Sequence, residues 1–353
     1  MKLLMVSRDI KMLSRESAVF LRTKEYATLF DELHVLVVGR GDGPFLKEGN
    51  LYIYNTTSSI LLLSFFKAFF KAFKMHKHIT PYEAWVTSQD PFETGFLALI
   101  IAWVLKANLQ LQIHTDFLSN HFKKESSLNR LRVFIARRII PRAKGIRVVS
   151  ERIKQSLVEA NLKRNAEIAV LPVFIDPLVC SQAEPAPDIL ERFAGRKIIL
   201  CAGRLEREKN FSLALKIFGE FQKKEEAAIL LMAGEGSLKG KLRQEAADMG
   251  LSKKVEFLGF RKDMPSVYKS SNILLVTSDY EGYGMNMIEA ALCGLPIVSL
   301  DVGIAKEAGA YIIRADDESG PHALYDVVKP KEMTISVPDF SEYKKQFINT
   351  FNL

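Results

Sequence analysis

The sequence predicts an α/β protein of two domains in tandem, each with a parallel sheet flanked by helices. Short β-branched or aliphatic runs alternate with longer helical patterns along the whole chain, which is the order that parallel sheets require. A polar, proline-rich stretch at 184–188 interrupts this alternation once and indicates a linker. The length of 353 residues also fits two domains better than one.

The first series of strands occupies residues 1–175, the predicted N-terminal domain. The strands are short apolar runs, predicted at Leu3–Ser7, Leu33–Val38, Leu51–Tyr54, Ala84–Thr87, Leu109–His114, Ile146–Val149 and Ile168–Leu171. The pattern breaks near Val173, and Asp176-Pro177 follows. We therefore place the domain boundary between residues 175 and 176.

The second series occupies residues 176–339, the predicted C-terminal domain. Its strands are predicted at Ile198–Ala202, Ile229–Ala233, Val255–Leu258, Ile273–Thr277, Ile297–Leu300 and Tyr311–Ile313. Residues 340–353 are expected to form a terminal helix that packs back on the N-terminal domain. Ligands of open parallel sheets bind beyond the carboxyl ends of the strands, so we expect the substrates in a cleft between the two domains.

Composition excludes several protein classes. Hydrophobic residues make up 48% and charged residues 25% of the chain, which excludes disorder, collagen and a disulfide scaffold. Three cysteines, Cys180, Cys201 and Cys293, form neither a Cys-x-x-Cys pair nor an even framework, which suits a reducing compartment. The apolar run at the amino terminus is too short for a signal peptide, and Phe96–Leu105 is shorter than the ~20 residues of a membrane span. We expect a cytoplasmic protein.

Charge is divided unevenly along the chain. Residues 1–175 hold 26 Lys and Arg against 15 Asp and Glu, whereas the remainder has a balance of −3. The stretch His121–Lys154 alone has 11 basic residues against Glu125 and Glu151. This asymmetry indicates an anionic partner for the first half, which could be a membrane surface, a nucleic acid or a phosphorylated substrate.

The densest signal for chemistry is a strand, a glycine-containing turn and a helix start in succession. Strand Ile273–Thr277 leads into the loop Ser278–Gly284, and a helix runs through Met285–Leu292. Backbone N–H groups at such a helix start, aided by the helix dipole, suit a phosphate. Glu281 and Glu289 suit sugar or ribose hydroxyls because a carboxylate can accept two hydrogen bonds.

These residues resemble the retaining nucleotide-sugar glycosyltransferases of the GT-B fold, in the large fourth family (glycosyl transferases group 1) with many bacterial polysaccharide and glycolipid enzymes. The match consists of Glu281-Gly282-Tyr283-Gly284, Glu289, Gly294-Leu295-Pro296, and Asp301-Val302-Gly303 up to Glu307. The resemblance implies that Glu281 contacts the donor sugar and Glu289 binds the ribose. It implies that the diphosphate and sugar lie against Gly282, Tyr283, Gly284, Met285, Asn286 and Met287.

A second element of the same family follows the strand Ile198–Ala202. The loop Gly203-Arg204-Leu205-Glu206-Arg207-Glu208-Lys209-Asn210 is similar to the family's Gly-Arg-Leu-x-x-x-Lys-Asn, whose Arg and Lys hold the diphosphate. Negative charge grows on the β-phosphate as the sugar–phosphate bond breaks, and two fixed cations stabilise it without a metal. We therefore expect Arg204 and Lys209 to be catalytic, and no metal site.

Two further turns and one histidine match softer elements of the family. Gly234 follows a strand, and Gly259, Phe260 and Arg261 end a strand where such enzymes contact the nucleotide base through backbone groups. Plain turn chemistry is the alternative at both places. His114, at the carboxyl end of a strand, matches a position that faces the donor sugar, with a buried structural histidine as the alternative.

The loop after the first strand departs from the family. A Gly-Gly pair is usual there, whereas residues 8–15 read Arg-Asp-Ile-Lys-Met-Leu-Ser-Arg, which puts the usual backbone contact to a phosphate in question. The absence of Gly-x-Gly-x-x-Gly also disfavours a nicotinamide-dependent dehydrogenase. Gly39–Gly43 has the wrong spacing for a dinucleotide site and indicates a turn.

Residues 60–78 predict a cationic amphipathic helix. Lys67, Lys71, Lys74 and His78 fall on one side of the helical wheel and the Phe residues on the other. Attachment to an anionic membrane surface and packing of the Phe face in the core are both open. A metal site at His76-x-His78 lacks a third ligand at a recognisable spacing.

Together these observations predict a hexosyltransferase-type enzyme that moves a sugar, with retention, from a UDP-sugar or GDP-sugar to a lipid-linked or glycan acceptor. We expect it at the cytoplasmic face of the cell membrane, peripherally bound, with no cofactor. No nucleic-acid motif accompanies the basic residues. The alternatives are another GT-B enzyme, such as a nucleotide-sugar epimerase, and an inactive member that binds polyanions or membranes.

Overall fold

A computed structural model describes residues 1–75, 83–162, 168–315, 319–327 and 329–351. The chain divides into two compact units. Unit 1 comprises Met1–Pro172 together with Phe340–Leu353, and unit 2 comprises Val173–Asp339. Each predicted strand is found, with its ends displaced by at most one residue, and both units are α/β.

Unit 1 is built on an eight-stranded sheet in the order β3-β4-β2-β1-β5-β6-β7-β8. Its strands are β1 (Lys2–Ser7), β2 (Glu32–Val37), β3 (Leu46–Glu48), β4 (Leu51–Asn55), β5 (Trp85–Ser88), β6 (Asn108–Ile113), β7 (Gly145–Val148) and β8 (Ile168–Val170). Its helices up to the boundary are α1 (Ala18–Ala27), α2 (Leu61–Lys74), α3 (Glu93–Leu105), α4 (Asn120–Glu125), α5 (Ser127–Ile139) and α6 (Glu151–Glu159).

The strands at the centre of this sheet are buried on both faces. Five consecutive residues of β1, Leu3–Ser7, are buried, and β1 pairs in parallel with both β2 and β5. Continuous apolar runs of this kind are what a parallel sheet covered by helices requires. From β1 the chain builds outward to β2 and β4, and then crosses back to β5. The loops after β1 and β5 therefore flank the point where the strand order reverses, which is where such sheets bind ligands.

Unit 2 is built on a six-stranded parallel sheet in the order β11-β10-β9-β12-β13-β14. Its strands are β9 (Ile198–Ala202), β10 (Ile229–Ala233), β11 (Val255–Gly259), β12 (Ile273–Val276), β13 (Ile297–Leu300) and β14 (Tyr311–Ile313). Its helices are α7 (Pro187–Arg192), α8 (Phe211–Gln222), α9 (Lys239–Asp248), α10 (Met264–Lys269), α11 (Met285–Leu292) and α12 (Ser319–Asp326). The strand order reverses between β9 and β12.

The last helix, α13 (Phe340–Asn349), belongs to unit 1. Its Phe347 ring stacks on Tyr26 of α1 with ring centroids 5.0 Å apart. Its Tyr343 hydroxyl accepts a hydrogen bond of 2.7 Å from Arg147, and Arg147 also donates to the carbonyl of Pro172. The buried guanidinium thus joins the end of one chain segment of unit 1 to the helix that returns to it.

The α2 helix buries small side chains and exposes large ones. Ser64, Ala68 and Ala72 recur every four residues and are buried. The exposed fractions of Phe66, Phe70 and Phe73 are 52%, 58% and 56%. The Phe face therefore lies outside the core, and residues 76–78 of the predicted helix lie outside the described residues. No helix among the described residues combines the length and the apolar character needed to cross a bilayer.

The number and spacing of the three cysteines gave no sign of a disulfide, but the structure contains one. Cys180 and Cys293 form a disulfide with their Cα atoms 5.1 Å apart, although 113 residues separate them in the sequence. The fold brings them together because Cys293 ends α11 and Cys180 lies in the segment that enters unit 2, with its sulfur 3.5 Å from the carbonyl of Glu289. Cys201 is free and buried in β9.

Candidate functional site

Two loops meet at the point where the strand order of unit 2 reverses. The loop after β9 carries Lys209 and Asn210, and the loop after β12 carries Asp279. The Asn210 amide donates to the Asp279 carboxylate at 2.8 Å, and the Asp279 N–H donates to the carbonyl of Glu208 at 2.9 Å. Thr277 also donates to the Lys209 carbonyl at 3.2 Å. These bonds fix the two motif loops against each other.

Lys209 and Glu281 form an ion pair across these loops. The exposed fractions of their side chains are 15% and 12%, so the pair is largely withdrawn from water. Ser278 donates a second hydrogen bond of 2.8 Å to the same Glu281 oxygen. The structure therefore brings together a cation and a carboxylate that the sequence assigns to the diphosphate and to the sugar.

Arg204 is held by a different carboxylate. Its guanidinium pairs with Glu208 at 2.6 Å, and 74% of its side chain is exposed. The two predicted catalytic cations thus have separate partners. An exposed guanidinium on a loop can change rotamer with little cost, since a surface ion pair contributes at most about 1 kcal/mol.

The start of α11 is shaped by glycine. Gly284 has φ +99°, and a side chain there would place its Cβ 2.2 Å from the end of Met287. Within the described chain, no side chain caps this helix end. The Asn286 amide instead donates to the carbonyl of Ala202 at 2.9 Å, and Met287 is buried. Backbone N–H groups of the first turn are thus the groups that this helix offers to an anion.

Glu289 lies in the second turn of α11 and is largely buried. One carboxylate oxygen accepts a hydrogen bond of 2.8 Å from the Tyr268 hydroxyl. Burial raises the pKa of Glu289, while the hydrogen bond from Tyr268 acts in the opposite direction and is the weaker effect. A buried carboxylate with an oxygen available beside one partner suits a polar ligand group such as a ribose hydroxyl.

Glycines let three neighbouring strand ends approach closely. The Gly203 N–H donates to the Ala233 carbonyl at 2.9 Å, and the Gly234 N–H donates to the Gly259 carbonyl at 2.8 Å. A Cβ on Gly234 would lie 1.8 Å from the Gly203 oxygen, so only glycine fits there. Gly234 and Gly259 therefore have a definite backbone role at the edge where the base is expected.

Phe260 and Arg261 follow Gly259 and differ in what they offer a ligand. Phe260 is 70% exposed. The Arg261 guanidinium is engaged by two carboxylates, with Asp188 at 2.7 Å and Asp263 at 2.6 Å, and these hydrogen bonds raise its pKa further. Its donors are committed to the protein, so the exposed ring of Phe260 and the backbone are the groups left for a nucleotide base.

His114 lies in unit 1, directly after β6. Burial lowers the pKa of His114 to about 3, and the charges of Arg147 and Arg22 add to this effect. The imidazole is therefore neutral at physiological pH and can donate or accept a hydrogen bond without carrying charge.

Several residues of the site lack a signal in the sequence. Tyr268 lies on α10, outside the motifs, and nothing in its spacing relates it to Glu289. Ser278 and Glu208 lie within the motif loops, where their polarity is unremarkable. The described residues contain no group of three or more His, Cys, Asp or Glu placed to hold a metal ion, and His76 and His78 lie outside them.

Comparison with known proteins shows what the chain is similar to. Residues 183–310 match the family "Glycosyl transferases group 1". The 2-deoxystreptamine glucosyltransferase of Streptomyces kanamyceticus is 28% identical over 179 residues, covering 48% of this chain and 46% of that protein. The UDP-Gal:alpha-D-GlcNAc-diphosphoundecaprenol alpha-1,3-galactosyltransferase of Escherichia coli is 26% identical over 201 residues, covering 53% of this chain and 51% of that protein. The chain spans about half the length of these curated relatives.

Solved structures resemble the whole chain. Anabaena Alr3699/HepE in complex with UDP-glucose has a TM-score of 0.74 and 18% identity, covering 100% of this chain and 99% of the other. The sucrose-phosphate synthase of Thermosynechococcus elongatus has a TM-score of 0.72 and 14% identity, covering 99% and 98%. At these identities the likeness shows the fold. Residues 183–310 thus match the glycosyl transferases group 1 family, and the likeness of the whole chain to these solved structures shows the GT-B fold that the sequence predicts.

Proposed function

We propose that this chain is a glycosyltransferase that moves a hexose from a nucleoside diphosphate sugar to an acceptor, with retention. The observation that carries the proposal is the Lys209–Glu281 pair, which is largely withdrawn from water where the strand order of unit 2 reverses. A donor ligand brings to this place a diphosphate, which attracts the lysine, and a sugar, whose hydroxyls suit the carboxylate.

The proposed roles follow the polarity of each group. The diphosphate lies at the N-terminus of α11, Glu289 accepts hydrogen bonds from the ribose, and Glu281 accepts them from the sugar. Lys209, joined by Arg204, stabilises the charge that grows on the β-phosphate as the glycosidic bond breaks. This interaction strengthens toward the transition state, so it lowers the barrier and not only the dissociation constant. His114 serves as a neutral hydrogen-bonding group toward the sugar.

The donor is proposed to carry uridine or guanosine diphosphate, and the reaction to need neither metal nor cofactor. UDP and UDP-glucose occupy solved structures of Anabaena Alr3699/HepE, which has the same fold. Two cations at the diphosphate can supply the electrostatic stabilisation that a divalent ion supplies elsewhere. The chain also lacks an Asp-x-Asp triplet, the arrangement that metal-dependent sugar transferases commonly use.

The acceptor is proposed to be lipid-linked, and the enzyme to act at the cytoplasmic face of an anionic membrane. The names of the Escherichia coli relative and of a Campylobacter jejuni relative, 30% identical over 175 residues, include a diphospho-undecaprenol acceptor. The exposed Phe face of α2 supports attachment, since Lys67 and Lys74 are exposed on the same helix. Apolar side chains flanked by lysines are typical of helices that lie in the membrane interface.

The experiment is a donor panel with the full-length chain. UDP-glucose, UDP-galactose, UDP-N-acetylglucosamine and GDP-mannose are incubated separately, with and without excess chelator. No acceptor is added, so the sugar passes to water, and the nucleoside diphosphate released by this hydrolysis is measured. We expect one donor to be consumed, equally with chelator, and consumption to fall in Lys209→Met but not in the matched variant Lys216→Met, an exposed lysine of α8. Conversion of a nucleotide sugar to its epimer without release, or no binding of any donor, would contradict the proposal.

A further inference from the structure

Polar groups converge where the strand order of unit 1 reverses, between the loops after β1 and β5. Ser7 ends β1, is fully buried, and donates a hydrogen bond of 2.7 Å to the side-chain amide oxygen (Oε1) of Gln89. The Asp9 N–H donates to the same Ser7 hydroxyl at 3.1 Å. Ser7 thus ties the two loops together, and Gln89 is held with its amide nitrogen as the remaining polar group.

The carboxylates beside this point are already engaged. Both oxygens of Asp90 accept hydrogen bonds, one from the Phe92 N–H at 2.8 Å and one from the Thr94 hydroxyl at 2.6 Å. Glu93 accepts a hydrogen bond of 2.9 Å from Arg132. The acidic groups near these loops are therefore directed toward protein donors.

The hydrogen-bond donors near these loops, in contrast, have only weak or distant partners within the protein. Among the residues that the structure describes, the Arg8 guanidinium pairs only with Glu93, at 3.9 Å, and 41% of its side chain is exposed. The Gln89 amide nitrogen points at the Met5 sulfur at 3.9 Å, a weak acceptor. A ligand that suits this place must bring acceptor oxygens and negative charge, as a phosphate does. Arg8 stands in the loop where the family resemblance leads one to expect glycines.

An apolar stripe leads away from this point along α3. Glu93, Phe96, Ile100 and Trp103 recur at the helical spacing that places them on one face. The exposed fractions of Phe96 and Trp103 are 53% and 80%. The apolar part of this face, Phe96–Trp103, runs about 10 Å at 1.5 Å per residue. The helix α5, which packs against α3, also exposes an aromatic side chain, Phe134, at 54%.

We propose that unit 1 binds an acceptor whose phosphate is carried on a long apolar chain, with Arg8 and Gln89 on the phosphate and the chain along the Phe96–Trp103 stripe. This inference rests on the proposed glycosyl transfer and adds a specific site for the second substrate. Charge complementarity fixes the direction of the ligand. Its anionic end meets the free donors at the end of β1, and its chain covers side chains that water otherwise contacts.

The test uses farnesyl diphosphate, below its micelle concentration, as a probe of the full-length chain in saturating UDP. The chain has two tryptophans, and Trp85 is buried, so a blue shift of the emission reports on Trp103. We expect farnesyl diphosphate to bind with a blue shift, farnesol to bind at least about tenfold more weakly, and inorganic pyrophosphate to bind without the shift.

Arg8→Gln should lower the affinity for farnesyl diphosphate on the order of tenfold to a hundredfold, as expected for a lost charged hydrogen-bonding partner. The affinity for farnesol should not change. The matched variant Arg15→Gln removes an exposed arginine of the same loop and should change neither. Calorimetric UDP affinity should be the same in all three proteins, and thermal unfolding verifies that each is folded.

Equal affinities for farnesyl diphosphate and farnesol, or equal effects of the two arginine variants, would overturn the inference while leaving donor chemistry intact. Loss of UDP affinity in Arg8→Gln with unchanged farnesyl diphosphate binding would also overturn it, since Arg8 would then hold the donor phosphate. Failure of the proposed function itself is recognised separately, by the absence of any UDP binding or donor consumption in the unmodified chain.

Discussion

Glu289 carries a tension between stability and binding. Its carboxylate is largely buried on α11, Tyr268 is its one side-chain donor among the described residues, and burial raises its pKa. A residue selected only for stability would be neutral at this position, because ionising a buried carboxyl opposes folding. The carboxylate is therefore best explained by a ligand hydroxyl that completes its hydrogen bonds.

The first prediction tests this tension with Glu289→Gln. The pKa of Glu289 is higher in the folded chain than its ordinary value of 4.5. The protonated group thus favours folding below pH 4.5, and this contribution is lost as the pH rises through the folded pKa. The variant should gain melting temperature relative to the native chain as the pH rises from 4 to 8, yet bind UDP on the order of tenfold more weakly. A melting-temperature difference that stays constant with pH would contradict the burial argument.

The second prediction distinguishes the role of Glu281 from the roles of Lys209 and Arg204. Glu281→Gln should leave UDP affinity nearly unchanged, since UDP lacks the sugar, and should lower turnover. Lys209→Ala and Arg204→Ala should each lower turnover by a factor on the order of 10²–10³. They should also lower the affinity for UDP, because this product already bears the charge that develops in the transition state. Calorimetry with UDP beside initial rates distinguishes these cases. Equal UDP affinities in Glu281→Gln and Glu289→Gln would show that the sugar and ribose assignments are wrong.

At the scale of elements, the sequence predicts the sheets well because buried parallel strands are continuous apolar runs. It misses β3, which has three residues and lies at the sheet edge, and α7, which begins inside the proline-rich stretch 184–188. It does not decide which face of α2 is buried, because two faces of that helix carry no charged residue. One is formed by the Phe side chains and the other by Ser64, Ala68 and Ala72. Packing selects the face of Ser64, Ala68 and Ala72, which lets the helix approach its neighbours closely.

In the candidate site, too, the sequence predicts where the motif loops lie but not which side chains they contact. The loops of Lys209 and Glu281 follow strand ends, and their place at the reversal of the strand order follows from the alternation of strands and helices. Their side-chain partners depend on long-range packing. Tyr268 reaches Glu289 from α10, and Asp188 reaches Arg261 from α7. Periodicity reports which face of an element is buried, but not which polar atoms meet there.

The third prediction concerns the glycine contact between β9 and β10. Gly234→Ala should destabilise the chain by about 3 kcal/mol, since its Cβ would lie 1.8 Å from the Gly203 oxygen and force the strand ends apart. Nucleotide affinity should fall with it. Gly240→Ala is the matched control, because a Cβ there meets open space on α9, and it should stabilise by about 0.5–1 kcal/mol. Similar denaturation midpoints for the two variants would refute the close approach.

The fourth prediction concerns the exposed Phe face of α2. Replacing Phe66, Phe70 and Phe73 by Ser should weaken binding to vesicles by at least about a hundredfold, since each inserted Phe contributes about 1.5–3 kcal/mol. The control replaces Leu178, Leu190 and Ile312, exposed apolar residues of unit 2, by Ser. Sedimentation with anionic and neutral vesicles measures both sets. Attachment through this helix would be contradicted if vesicle binding did not depend on lipid charge and salt, or if both sets of substitutions weakened it equally.

At the scale of the whole molecule, the segments where the chain passes from one unit to the other are held by different interactions. Arg147 secures the segment that ends unit 1 at Pro172 and the helix α13 that returns to it. Inside unit 2, the Cys180–Cys293 disulfide secures the entering segment to the end of α11. The helix that presents Glu289 is thus tied covalently to the start of its own unit, a constraint that the sequence conceals because 113 residues separate the cysteines.

The fifth prediction is that this disulfide stabilises unit 2 and that Cys201 has no part in it. Closing a loop of this length restricts the unfolded chain, and native disulfides typically contribute about 2–4 kcal/mol. Trapping thiols in non-reducing denaturant should reveal one, Cys201, and reduction should reveal three. Reductant should lower the melting temperature of the native chain and of Cys201→Ser. The melting temperature of Cys180→Ser should already be low without reductant and should not change when reductant is added. Three thiols before reduction would rule out the pairing. A melting temperature indifferent to reductant would show that packing around α11, and not the covalent link, holds the entering segment in place.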